Sequence, residues 1–156
     1  MMLKSVFENK EKIPGKYTCD GDNVNPELII SEVPENAESL VLIMDDPDIP
    51  NEVKKSRNID VFVHWVLFNI HPSTTIIEEN DVSSGVFGSN SAGEHAYTGP
   101  CPPKQFKPSE HRYFFKLYAL DVELDLEEGA SKKEVESAMK GHVIEKTGLI
   151  GRYERK

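Results

Sequence analysis

Asp46, His64, His111 and Tyr113 are the residues of this chain whose types and surroundings could do chemistry. A carboxyl group beside two imidazoles is expected to raise their pKa values, and a protonated imidazole with a phenol hydroxyl and a loop N–H is a donor set suited to a phosphate-like anion. Asp46 would orient one imidazole or accept from a ligand's amine or hydroxyl. The same two histidines and carboxylate have the composition of a facial metal triad, but no closely spaced histidine pair strengthens that reading and no metal is expected. Nor is there a nucleophile signature such as G-x-S-x-G, so no residue is assigned as catalytic.

Apolar segments must deliver these side chains. Ser39 to Met44 stops where Asp45-Asp46-Pro47 begins. Proline has no N–H for a strand ladder and holds its predecessor extended, so a strand ends there with Asp46 at its tip. In Arg112 to Leu120, side chains two residues apart share a face. His111, Tyr113, Phe115, Leu117 and Ala119 therefore form one row, with the imidazole and phenol together at its start. By the same alternation His64 falls in line with Phe62, Val66, Phe68 and Ile70 in an interior strand. Pro47 and Pro50 stiffen the segment around Asp48, and Pro100, Pro102 and Pro103 stiffen the loop from Gly99, so little ordering entropy is left to lose on binding.

Taken in order, Asp46-Pro47-Asp48-Ile49-Pro50, a histidine on a central strand (His64), the loop Gly99-Pro100-Cys101-Pro102-Pro103 and Ser109-Glu110-His111-Arg112-Tyr113 resemble the phosphatidylethanolamine-binding protein family, also called the Raf kinase inhibitor-like family. Thr18 to Pro26 and the Pro-Cys-Pro-Pro form of the later loop resemble its bacterial and archaeal branch. The resemblance implies a Greek-key antiparallel β-sandwich with a few peripheral helices. It also implies a pocket for phosphate-like groups lined by Asp46, His64, Gly99, His111 and Tyr113, with either Pro100 or Pro103 as the lining proline and Asp48, Pro50 and Arg112 in support. No cofactor is implied. Family members have been linked to inhibition of kinases and proteases, and dimers occur in the bacterial branch, so a protein partner and a homodimer belong to the same expectation.

The composition agrees with one domain: 156 residues, 38% hydrophobic and 29% charged, suit a single core. A formal net charge of −9 argues against nucleic acid and against a stable hold on anionic membranes, both of which require clustered Lys and Arg. The basic run Lys54-Lys55-Ser56-Arg57 reads as a solvated loop. Charge interrupts the first eight residues before any apolar run builds up, which does not resemble a signal peptide, and a cytoplasmic location is expected.

Turn signals are frequent and no long helical pattern precedes residue 130, so the body reads as β-rich. Ser131 and Glu134 have capping-box spacing, and Val135, Ala138, Met139, His142 and Val143 follow at helical intervals, predicting one amphipathic helix that carries His142 and ends before Gly148. Leu149 to Tyr153 reads as a short strand or an extended tail. His71 and His95 read as loop residues.

Asp20 to Ser31 starts like a calcium loop. Val24 and Ser31 occupy ligand positions and Asn25 stands where glycine is needed, so Asx turns explain it better. Cys19 and Cys101 could be a redox pair, a disulfide or free thiols, and the cytoplasmic expectation favours free thiols. Cys101 would be a nucleophile only with a base beside it.

Three function classes follow: a non-catalytic binder of a phosphorylated small molecule, a regulator that binds a kinase or protease through or beside the pocket, and an enzyme using His64, His111 and Asp46. Binding leads, regulation follows, and catalysis is last.

Overall fold

The computed structural model describes residues 1–156. Eight strands form two antiparallel sheets: β1 (Met2–Ser5), β2 (Leu28–Ser31), β3 (Ser39–Asp46), β4 (Phe62–Ile70), β5 (Ile76–Ile77), β6 (Val86–Phe87), β7 (Glu110–Leu120) and β8 (Val143–Glu154). The smaller sheet has the order β1-β2-β5 and the larger β6-β4-β3-β7-β8. Two helices, α1 (Asn51–Arg57) and α2 (Lys132–Met139), complete the chain with a turn of 3-10 helix at Gly15–Tyr17. The expected β-rich body with peripheral helices is therefore the observed one.

Strand β3 lies at the centre of the larger sheet and is buried along its whole length, as expected for an uninterrupted apolar run covered on both faces. Its alternation divides two cores. Leu40, Leu42 and Met44 point between the sheets and meet Leu3, Leu28, Ile30 and Ile77 of the smaller one. Val41 and Ile43 point outward and are covered by Leu124, Ala130 and the Val135 and Met139 face of α2. On β7, Tyr113, Phe115, Leu117 and Ala119 all join the inter-sheet core, as their spacing requires.

On β4 the alternation fails twice. Met44 is paired with Trp65 but Asp45 with Val63, so His64 is an extra residue on β4; a second irregularity lies between the Leu42–Leu67 and Leu40–Ile70 pairs. A bulge inserts one residue and reverses the facing of everything beyond it. Val66 and Phe68 pack under α2, whereas Trp65, Leu67 and Ile70 face the inter-sheet core. His64 therefore does not share a row with Val66, Phe68 and Ile70; it lies beside Phe62 and Tyr113, with ring centroids 4.8 and 5.2 Å away. Near the second irregularity Asn69 takes a positive φ of 52° and exchanges two hydrogen bonds with the backbone of Leu124.

Helix α2 begins at the expected capping box. Glu134 N–H donates to Ser131 Oγ and the Ser131 N–H to Glu134 Oε1. It ends earlier than the periodicity predicts, because Lys140 is extended and Gly141 takes a φ of +80°. His142 is consequently not on the helix but in the turn beyond it, in contact with Asp121 at 2.8 Å, and Val143 opens β8. Gly148 and the Leu149 to Tyr153 segment belong to that long strand.

The run Lys54 to Arg57 is likewise not a loop. It forms the last turn of α1, which Asn58 closes in the left-handed conformation. Basic side chains at a helix C-terminus complement its partial negative charge, which accounts for their placement.

Candidate functional site

Where β3 ends, Asp46 is held from two sides. Its Oδ1 accepts the Asp48 N–H at 2.7 Å, a short turn around Pro47, and its Oδ2 lies 2.7 Å from Nδ1 of His111 at the start of β7. A carboxylate has no hydrogen to give, so Nδ1 of His111 carries it and Nε2 is turned away. Both side chains are almost wholly inaccessible. Nε2 of His111 and the hydroxyl of Tyr113 are buried without a hydrogen-bond partner in the protein. Burial, reinforced by the nearby Asp46, pushes the Tyr113 phenol well above its ordinary pKa, so it remains an O–H donor.

His64 arrives from the bulge on β4. Its Nδ1 is 2.7 Å from the Thr98 carbonyl, while its own carbonyl accepts the Thr98 N–H at 3.0 Å. Burial holds this imidazole below the usual histidine pKa and outweighs the opposing pull of the Thr98 carbonyl and Asp46. The sequence expectation that Asp46 raises the pKa of both histidines thus fails for His64. Desolvation of an imidazolium is the larger effect when the ring is sealed between Phe62 and Tyr113 and its bonding partner is a neutral carbonyl.

The proline-rich loop closes the site because another loop pins it. Gly99 N–H donates to Asn23 Oδ1 at 2.7 Å, Cys19 N–H donates to the Pro100 carbonyl at 3.1 Å, and the Cys19 and Cys101 sulfurs are bonded across a sequence separation of 82. The free-thiol expectation is therefore corrected: the two backbones meet at a Cα–Cα distance of 5.4 Å, within disulfide reach. Gly99 is required at the contact, since a Cβ there would lie 2.3 Å from the Tyr17 carbonyl oxygen and 2.5 Å from Asn23 Oδ1. The Asp20 to Asn25 segment uses its polar side chains on this kind of bracing. Asn25 bonds the backbone at Pro26, Glu78 and Asp81, and Asp20 accepts from Tyr153.

These elements enclose a cleft of about 230 Å³. Of the residues expected at the site, Asp46, His64, Gly99, Pro103, His111, Tyr113 and Pro50 line it. Pro100 does not; its carbonyl is turned to Cys19 and Pro102 lines the cleft beside Pro103. Asp48 and Arg112 also lie outside. They form a bidentate pair in which Arg112 Nε and NH2 donate to the Asp48 carboxylate at 2.9 and 2.8 Å, and the Arg112 guanidinium holds the Asp48 carboxyl below its usual pKa. That pair locks the Asp46–Asp48 turn to the start of β7.

Arg57, Phe62 and Thr98 line the cleft too, and the spacing of chemistry-bearing residues did not single them out. Arg57 reaches the rim from the end of α1, donating to the Ser91 carbonyl and standing 5.5 Å from the Phe62 ring centre. The signal available in the sequence was one arginine in a short basic run, which carries no address without the helix that places it. Asp45, one residue before Asp46, faces the opposite side of the sheet, where Lys116 approaches at 2.9 Å and Lys132 of α2 at 3.8 Å.

The chain as a whole has relatives. A UPF0098 protein from Methanothermobacter thermautotrophicus is 48% identical over 162 residues, covering 99% of both chains, and one from Chlamydia trachomatis is 40% identical over 154 residues, covering 99% of this chain and 98% of its own. Among solved structures, the putative phosphatidylethanolamine-binding protein homolog CT736 of Chlamydia trachomatis superposes with a TM-score of 0.90 at 41% identity, covering 99% of this chain and 97% of its own. YbcL of E. coli, described as a new member of the mammalian PEBP family, does so with a TM-score of 0.84 at 25% identity, covering 99% and 98%. The family model for phosphatidylethanolamine-binding protein matches residues 3–154. With the match running from β1 to β8, this chain belongs to the phosphatidylethanolamine-binding protein family.

Proposed function

We propose that the protein binds a small phosphate-like anion or phosphorylated head group in this cleft and performs no chemistry on it. The observation that carries the reading is the pair of orphaned polar atoms, His111 Nε2 and the Tyr113 hydroxyl. Buried polar groups are rarely left unpaired, because each costs about 1–3 kcal/mol, and an unpaired set at a cleft floor is what a ligand would complete. Asp46 holds the His111 ring in place through Nδ1, and the Tyr113 hydroxyl, kept as an O–H, is a donor for the ligand. Arg57 adds a fixed positive charge at the rim.

The size of the cleft limits the ligand. About 230 Å³ falls below the roughly 300–1,000 Å³ of sites that engulf drug-sized molecules, so a head group fits and the acyl chains of a lipid do not. Catalysis finds little support: the lining holds no serine, its one thiol residue, Cys101, is tied in a disulfide, and its other polar side chains, Asp46, Arg57, His64, Thr98, His111 and Tyr113, make a binding set with no positioned nucleophile.

The test is an NMR titration of wild type and a His64→Ala, His111→Ala double variant with inorganic phosphate and phosphoethanolamine. Saturable shifts at residues of the cleft in wild type, absent in a folded double variant, support the reading. No saturable binding by wild type overturns it.

A further inference from the structure

We propose that the cleft selects an anion that brings its own hydrogen, a phosphate or phosphate monoester in monoprotonated form, over a fully deprotonated anion of similar shape such as sulfate, and that Nε2 of His64 is the selecting atom. This rests on the anion-binding reading above and goes beyond it by fixing the protonation state of the ligand.

The hydrogen on His64 is placed by geometry. Nδ1 lies 2.7 Å from the Thr98 carbonyl oxygen, which can only accept, so Nδ1 bears the hydrogen. The ring cannot readily exchange its two nitrogens. The reciprocal Thr98 N–H to His64 carbonyl bond ties loop to strand, and the Phe62 ring, two residues back on β4, and the Tyr113 ring, on β7, stand 4.8 and 5.2 Å away. A neutral imidazole protonated at Nδ1 presents a lone pair at Nε2.

Neutrality follows from the surroundings, given every group that faces the ring. Asp46 from β3 is already shared between His111 and the Asp48 N–H. Tyr113 from β7 is a neutral phenol, Arg57 from α1 and His111 from β7 disfavour a further positive charge, and Asp45 is turned to Lys116 and Lys132 on the far side of the sheet. Burial adds to this by lowering the His64 pKa.

The cleft therefore holds one fixed acceptor, His64 Nε2, beside two groups able to donate, the Tyr113 hydroxyl and the Arg57 guanidinium at the rim. A monoprotonated phosphate matches that set, since its P–OH donates to His64 while its other oxygens accept. Sulfate offers acceptors only and would place an oxygen against the His64 lone pair. A site built around a hydrogen bond rejects the analogue that cannot make it, here by roughly tenfold or more.

The experiment titrates the purified protein with inorganic phosphate, methyl phosphate and sulfate at equal ionic strength, from pH about 5.5 to about 8, across the second pKa of a phosphate monoester near 6. Sulfate carries no hydrogen anywhere in this range, so its profile reports the protein's own titration and serves as the baseline. The methyl phosphate to sulfate affinity ratio is expected to be at least tenfold at the acid end and to fall as pH rises. Sulfate binding within twofold of the phosphates throughout overturns the selection while leaving anion binding intact. No binding by any of the three overturns both.

A His64→Gln variant, whose carboxamide donates as well as accepts, is expected to bring the ratio close to one; an unchanged ratio in a folded variant overturns the assignment. Independently of whether that variant folds, ¹⁵N ring correlations of wild type saturated with phosphate should show His64 neutral with hydrogen on Nδ1. A doubly protonated His64 ring overturns the proposal.

Discussion

Nδ1 of His111 lies 2.7 Å from Oδ2 of Asp46, and the other oxygen of the same carboxyl group accepts the Asp48 N–H at 2.7 Å. One side chain thus fixes the tautomer of a cleft histidine and the turn that ends β3. Because both members of the pair are sealed from solvent, the contact links the stability of the fold to the readiness of the site. Substituting Asp46→Ala leaves the buried His111 Nδ1–H and the part-buried Asp48 N–H unpaired and should cost ~1–3 kcal/mol, as stranding a buried donor does. Urea denaturation at unchanged m-value reads this directly, and a loss below about 1 kcal/mol would show that water replaces the carboxyl group.

His64 makes stability depend on pH in a defined direction. Its folded pKa is depressed by burial, whereas in the unfolded chain it titrates near 6.5. Between those values the unfolded state binds the extra proton, so the contribution is fully present above about pH 6.5 and is lost as pH falls towards the folded pKa. Unfolding free energies measured from pH about 8 to about 5 should therefore decline on the acid side. In a folded His64→Gln variant the decline between about pH 6.5 and 5.5 should become shallower; an identical slope would remove His64 as its source.

The Cys19–Cys101 bond closes a loop with a sequence separation of 82. Constraining a loop of that length in the unfolded chain is worth ~4–5 kcal/mol in the chain-entropy description. A Cys19→Ser, Cys101→Ser double variant should lose a comparable amount, and strong reductant should lower the midpoint of wild type towards that of the variant. A midpoint unchanged by reductant would mean that the remaining clamps, Asn23 to Gly99 and Cys19 N–H to Pro100, hold the loop alone.

At Gly99 the added methyl of a Gly99→Ala variant would meet the Tyr17 carbonyl and the Asn23 side chain that the loop depends on. Overpacking of this kind costs ~1–3 kcal/mol. The variant should also show weaker anion binding, since the displaced segment carries Thr98, the partner of His64. Calorimetric unfolding together with a phosphate titration separates the two effects.

Arg57 tests the rim. It is exposed, so an Arg57→Ala variant should unfold within about 0.5 kcal/mol of wild type. Phosphate affinity should fall severalfold, corresponding to roughly 1 kcal/mol for a partly screened charge, and the deficit should shrink as salt is raised. Equal affinities at low salt would exclude an electrostatic part for this residue.

What the sequence by itself determined is what local chemistry determines. Pro47 ends β3 at Asp46 because proline cannot continue a ladder. The row from His111 to Ala119 faces the inter-sheet core because its pairing with β3 is regular. Ser131 and Glu134 cap α2 because their spacing closes two hydrogen bonds within one turn. The ordered motifs also carried the family, whose model matches residues 3–154.

The tertiary structure decided everything that depends on two distant segments meeting. Strand alternation is a property of one segment, but a bulge is a property of a pair, so only the β3–β4 register could turn His64 away from Val66 and into the cleft. The bond between Cys19 and Cys101 required the N-terminal loop to lie against the proline-rich one. The end of α1 had to be placed before Arg57 could reach the rim. Protonation followed the same rule: types and spacing put a carboxyl group near two imidazoles, but the depth of burial around His64, fixed only when both sheets close on it, decided which effect on its pKa would win.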